Sequence, residues 1–170
     1  MIRAILPSLL LAALPTPSSA QEMGSHERGF YGGDYQIISR MNDLCLNVSG
    51  GRIHEGAVLI TWDCVGADNE RFRAERVGPD GDMRLTIAGR DGLFCVDTPW
   101  QQGQQLRLAR CQSGSPAQTW RFTGREPFAI RGAYGFCINI EGQRQTRGTR
   151  VIAWRCSDEP NEAWTFNPVR

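Results

Sequence analysis

The chain has 170 residues, room for one domain of ordinary size, and carries 19 basic against 18 acidic side chains for a formal net charge of +1. Every basic residue is Arg, and no basic stripe gathers them. The composition therefore argues against nucleic-acid binding, which draws its affinity from neutralised phosphates.

Residues 1–20 read as a cleaved signal peptide. Arg3 gives a positive start, Ala4 to Leu14 is mostly apolar, and Ser18-Ser19-Ala20 supplies small residues at a cleavage point. Pro7 and Ser8 interrupt the apolar run, which is too short to span a bilayer, and no later segment is apolar enough to do so. The expectation is a secreted or periplasmic protein with no membrane span. Setting aside Arg3, basic and acidic residues balance at 18 each. Residues 21–34 contain Gly, Ser, Glu and His with little apolar content, and are expected to form a flexible lead. The folded domain is placed at residues 35–170, opening with the strand-like run Tyr35-Gln36-Ile37-Ile38.

Beyond that point short apolar runs alternate with turn residues. Period-two runs include Val58-Leu59-Ile60-Thr61-Trp62, Arg84-Leu85-Thr86-Ile87 and Arg150-Val151-Ile152-Ala153-Trp154. Turn signals fall between runs, as at Ser49-Gly50-Gly51, Pro79-Asp80-Gly81-Asp82 and Arg90-Asp91-Gly92. No window sustains a helical apolar stripe for three turns. The pattern is all-β.

Three segments overlay. The first runs LCLNV, a Gly-containing loop, VLITWDC and NERF; the second FCVDT, a loop, QLRLARC and AQTW; the third FCINI, a loop, RVIAWRC and NEAW. Each follows a short strand candidate, at Ile37-Ile38, Leu85-Thr86-Ile87 and Phe128-Ala129-Ile130. Self-similarity at this period signals a repeat architecture, with units at about 35–78, 79–124 and 125–170. One unit alone would leave apolar faces and strand edges bare, and closure removes both. A β-trefoil fits: six strands form a barrel and six form hairpins that cap one end. A propeller normally needs at least four blades.

Six cysteines in an exported chain suggest disulfides, and the repeat makes pairing within units the simplest choice: Cys45–Cys64, Cys95–Cys111 and Cys137–Cys156. Without close CxxC pairs, a cysteine metal site is disfavoured. Phe72, Trp120 and Trp164 recur at the unit ends, where their expected role is core packing.

CLNV…WDC…NERF, CVDT…ARC…AQTW and CINI…WRC…NEAW resemble the three subdomains of the ricin B-chain-type lectins. That family carries a cysteine-x-Asp segment, a strand ending in aromatic-x-Cys, and a closing Gln-x-Trp. The resemblance covers about Tyr35 to Asn167. It implies a shallow sugar pocket in each unit, in which an acid or amide accepts bonds from sugar hydroxyls and an aromatic faces the sugar's C–H groups. Carried over, the first unit offers Asn47, Trp62, Asn69 and Glu70, and the third Asn139, Trp154, Asn161 and Glu162. The second offers Asp97 and Gln118, but Ala109 stands where the aromatic belongs, with Trp100 nearby in sequence as a substitute.

The chain departs from the family pattern elsewhere too. Asn47 and Asn139 replace Asp, which exchanges a charge-assisted acceptor for a weaker neutral one. Glu70 and Glu162 replace Gln, and either complete the polar set or only hold the closing turn. Ile60 and Ile152 occupy a further polar position of the family.

The resemblance implies a secreted carbohydrate-binding, lectin-like module without catalytic activity, its sites in the first and third repeats, taking galactose-type or other glycans. The alternative is a protein-interaction or cell-binding subunit of a secreted complex with degenerate sugar sites. The resemblance extends to trefoil subunits of bacterial toxins such as the cytolethal distending toxin. An enzyme has little support: His26 and His54 are the only histidines, and no nucleophile elbow, HExxH or phosphate-binding glycine loop occurs. Asp158-Glu159 reads as a solvated turn. No cofactor is expected, and no EF-hand spacing supports calcium.

Overall fold

The computed structural model describes residues 32–169. The expected signal peptide and nearly all of the expected lead lie outside the described residues. Twelve strands are present among the described residues, four per repeat. The first repeat holds β1 (Asp34–Ser39), β2 (Cys45–Val48), β3 (Leu59–Trp62) and β4 (Phe72–Arg76). The second holds β5 (Met83–Gly89), β6 (Gly92–Asp97), β7 (Arg107–Arg110) and β8 (Arg121–Thr123). The third holds β9 (Phe128–Arg131), β10 (Phe136–Ile140), β11 (Val151–Arg155) and β12 (Ala163–Pro168). β1 starts at Asp34, one residue before the expected strand start at Tyr35, and Asp34 pairs with Arg73 at 2.9 Å.

Six strands close a barrel. β1 pairs with β4 and β12, β4 with β5, β8 with β9, and β9 with β12. The Met83–Trp120 bridge joins β5 to the start of β8 and completes the ring, with backbone bonds of 2.7 and 2.8 Å. The other six strands form the hairpins β2–β3, β6–β7 and β10–β11. These hairpins clasp one another through the bridges Val58–Arg107, Ile60–Arg150 and Gln105–Ile152. No strand of the ring is left with a bare edge, which is the physical reason three short units fold as one body. Ile60 and Ile152, odd as sugar ligands, are cap residues of this clasp.

The core is filled by alternate residues of these short strands, among them Ile37, Leu46, Leu59, Leu85, Leu108 and Ile130. Phe72, Trp120 and Trp164 are wholly buried. Each indole also satisfies its N–H: Trp120 Nε1 donates to Val96 O at 3.0 Å and Trp164 Nε1 to Ile138 O at 2.9 Å. Both acceptors directly follow the first cysteine of their unit, so the closing aromatic ties its barrel strand to its own hairpin. Three intra-repeat disulfides are formed, Cys45–Cys64, Cys95–Cys111 and Cys137–Cys156. With separations of 19, 16 and 19 residues, loop closure stabilises the fold by about 3 kcal/mol per bond in the chain-entropy model.

Candidate functional site

Each hairpin sets up the same local arrangement. In the β10–β11 register Cys137 faces Trp154, and in β2–β3 Cys45 faces Trp62. The disulfide then runs from that first cysteine to the residue two beyond the tryptophan, pinning the strand end that carries it. Pinned there, past the last core-facing residue of the strand, Trp62 and Trp154 stand 43% and 42% exposed. In β7 the equivalent position is Ala109, facing Cys95.

The polar residues come from the first strand of each hairpin and from the turn after its second cysteine. After the second cysteine the chain makes a single 3-10 turn, Asp68–Glu70, Pro116–Gln118 or Pro160–Glu162, which turns two side chains back toward the hairpin. In the third unit Asn161 Nδ2 donates to Asn139 Oδ1 at 2.7 Å and to Ile140 O at 3.0 Å. In the first, Asn69 Nδ2 donates to Asn47 Oδ1 at 2.6 Å and to Val48 O at 2.9 Å. Asn47 and Asn139 are only 3% and 2% exposed, and Asn161 Oδ1 is buried without a partner.

Glu70, Gln118 and Glu162 are fully buried braces. Glu162 accepts from the backbone amides of Ser157, at 2.8 Å, and Asp158. Glu70 accepts from the Gly66 amide and from Gln36 Nε2 at 2.8 Å, and Gln118 Oε1 accepts from the Gln112 amide at 2.8 Å. Of the two readings open for Glu70 and Glu162, the geometry favours holding the closing turn.

The departures from Asp and Gln turn out to be coupled. In the second unit the amide donates to the acid, Gln118 Nε2 to Asp97 Oδ2 at 3.3 Å. In the first and third units the same bond runs in reverse: Asn47 Nδ2 donates to Glu70 Oε2 at 3.3 Å, and Asn139 Nδ2 to Glu162 Oε2 at 3.5 Å. Asn for Asp and Glu for Gln are therefore one exchange of donor and acceptor. It keeps the bond and moves the charge away from the shelf into the turn. Asp97 keeps its charge at the pocket position, and burial pushes its carboxyl above the ordinary range, against smaller opposing pulls from the Gln118 amide and Arg107.

A wall of each shelf comes from another repeat, which the overlay did not suggest. Gly148 N donates to Thr61 O at 2.7 Å, Gly103 N to Ala153 O at 2.8 Å, and Gly56 N to Leu108 O at 2.8 Å. A loop of the third repeat thereby lies against Trp62, and a loop of the second against Trp154. A Cβ on Gly148 or Gly103 would sit 3.6 or 3.5 Å from the neighbouring indole, and both glycines have positive φ, +76° and +82°. The space would admit a Cβ, so it is the positive φ that favours glycine at these two positions. Arg147 seals the first shelf further by an ion pair to Asp63 at 2.7 Å. The recurrence of Gly56, Gly103 and Gly148 ahead of each second hairpin strand was the signal that could have revealed this.

The loop bearing Trp100, itself 72% exposed, continues to Gly103 and so toward Trp154 of the third repeat, whereas the backbone beside Ala109, at Leu108 O, is met by Gly56 of the first repeat. This placement gives Trp100 no support as a substitute in the second unit's pocket. Neither tryptophan lines the cavities of about 680 and 270 Å³, although Gly103 beside Trp154 also lines the smaller one, and the half-exposed indoles make the two tryptophan sites open shelves. Among the described residues, no group of three His, Cys, Asp or Glu is placed to hold a metal ion.

The described residues overlap closely with those matched by the family description "Ricin-type beta-trefoil lectin domain", which covers residues 33–164. No curated protein matches the chain. Among solved structures, the fold is similar to the designed three-fold symmetric protein ThreeFoil, with TM-score 0.73 and 22% identity over 81% of this chain and 100% of that one. It is similar also to the C-half of the earthworm R-type lectin solved with GalNAc, with TM-score 0.62 and 19% identity over 81% and 100%. The cytolethal distending toxin of Haemophilus ducreyi matches with TM-score 0.64 and 15% identity over 80% and 83%. With a matched family description spanning most of its length and all three repeats, the chain belongs to the ricin-type β-trefoil lectin domain family.

Proposed function

We propose that this protein is an exported, non-catalytic glycan-binding module whose sites are the Trp62 shelf of the first repeat and the Trp154 shelf of the third. The observation that carries the reading is the pair of half-exposed indoles. Each shares its hairpin with a buried amide network and stands against a glycine loop of another repeat. An apolar face beside a few fixed polar groups suits a sugar ring, which is polar at its rim and apolar on its faces. The charge-shifting exchange at Asn47 and Asn139 favours neutral sugars, and the GalNAc complex of the earthworm relative is consistent with that class. Three disulfides fit an oxidising, extracytoplasmic compartment.

A glycan array on the oxidised protein, run beside Trp62→Ala and Trp154→Ala, tests the reading. Roughly 100 Å² of each indole is open to solvent, and covering half of it contributes about 1.3 kcal/mol, or about tenfold in affinity per site. Both variants should keep the parental melting temperature, since these rings are not core. An array signal unchanged in the double variant would remove the proposal.

One observation favours a second reading, an interaction subunit of a larger secreted assembly. The carbonyls of Asn47 and Asn139 are already engaged by Asn69 and Asn161, which leaves less for a sugar to bond. Purification from the native source as one stoichiometric complex, with no glycan signal, would support that reading over the first.

A further inference from the structure

We propose that the crevice between the second and third repeats is a separate binding site for a sugar acid, a small saccharide carrying a carboxylate. The crevice holds about 680 Å³, within the range of small-molecule sites. Arg84 of β5, Arg121 of β8 and Arg131 of β9 all line it, with Asp82 as its one lining carboxylate. Arg121 and Arg131 face each other directly in the β8–β9 register, an arrangement of like charges that costs stability in a sheet. The fold does not demand it. The equivalent pairs at the other two boundaries are Arg73–Thr86 and Thr165–Ile38.

These charges are incompletely answered. Asp82 pairs with Arg121 at 2.5 Å, and Asp80 adds a more distant attraction to the same side chain. Arg131 has no ion-pair or side-chain hydrogen-bond partner among the described residues. Arg84 donates from Nη2 to Gln112 O at 3.0 Å, while its Nε is buried with no acceptor. A recess with surplus positive charge concentrates anions, and a guanidinium matches a carboxylate with two parallel hydrogen bonds.

Two features indicate more than a bare ion. The volume is many times that of one oxyanion, and the hydroxyl-bearing residues Ser113 and Thr119 line it, the latter with its Oγ1 donating to Ser115 O at 2.9 Å. Between the lining residues Ala133 and Gly135 in sequence, Tyr134 is held at φ +61° and is 60% exposed. A bulky residue in that conformation is strained, and such strain gathers at binding sites. Guanidiniums, hydroxyls and an exposed aromatic together suit a hydroxylated ring with a carboxylate.

The test is an amide chemical-shift titration of the whole protein at low salt. Glucuronate is the ligand, glucose its neutral counterpart, and inorganic sulfate the bare anion at matched ionic strength. Glucuronate should shift the amides of Gly114 and residues 132–135, glucose should not, and sulfate should shift them at least tenfold more weakly. Arg131→Gln, an exposed change, should weaken the glucuronate response at least tenfold, while the Trp62→Ala/Trp154→Ala double variant should keep it. Absence of these shifts, equal shifts with glucose or sulfate, or an unaltered response in Arg131→Gln would each overturn the proposal.

Discussion

Changing Asn139 to Asp tests whether the donor–acceptor exchange is real. In the folded protein Asn139 Nδ2 reaches Glu162 Oε2 at 3.5 Å, and both side chains are buried. Asp in its place sets a second carboxylate against the first. Two unit charges at that distance repel by about 5 kcal/mol at an effective dielectric of about 20. The introduced Asp can instead take up a proton at neutral pH, which caps the penalty at about 4 kcal/mol. The variant should therefore lose roughly 3 kcal/mol, seen as a fall of roughly 10 °C in melting temperature for a domain of this size. Adding Glu162→Gln recreates the Asp97–Gln118 arrangement of the second repeat, in which the amide donates to the acid. The double variant should return to within about 1 kcal/mol of the parent, giving a coupling of at least about 2 kcal/mol in denaturant unfolding of all four chains. A double variant no more stable than Asn139→Asp alone would refute the reasoning.

Asp97 should impose a pH dependence of its own. Its folded carboxyl titrates above the ordinary 3.8 because it is buried, so the folded chain holds this proton more tightly than the unfolded one. Its contribution to stability is thus fully present below about pH 4, and is lost as the pH rises through the raised folded value. Subtracting the stability of Asp97→Asn from that of the parent should leave a curve that falls across this window; a rising curve would be contrary. Gly132→Ala should unfold at a lower denaturant concentration, by about 1 to 3 kcal/mol of overpacking. Its new Cβ would lie 2.5 Å from Thr98 Oγ1 and 2.6 Å from the buried Trp120 ring, and unchanged stability would mean that the ring yields. Replacing Cys137 and Cys156 together by Ser should cost about 3 kcal/mol, read by the same unfolding assay, and a loss below about 1 kcal/mol would disagree.

The three-fold plan was legible because its marks repeat. A cysteine in an alternating run, a second cysteine after a strand and a buried aromatic past it are set by backbone geometry, so each repeat needs them alike. β4, β8 and β12 were harder to read, since a run such as Phe72–Arg76 buries only Phe72 and Ala74 and otherwise shows charge. The polar sets were half legible. Asn47 meets Asn69 and Glu70, and Asn139 meets Asn161 and Glu162, each set within one hairpin and its closing turn. The glycine walls cross between repeats, and the overlay treats each repeat as complete. The exchange of Asp with Asn and Gln with Glu is a property of a bond between residues more than twenty apart, and only the pairing shows the two changes as one. The crevice arginines come from three strands of two repeats, and nothing in the linear order joins them.

Titration calorimetry with a glycan identified on the array tests the central claim most directly. The account predicts two binding events per chain, one in each single tryptophan variant and none in the Trp62→Ala/Trp154→Ala chain, with all four chains melting alike. Full binding retained by the double variant would contradict it.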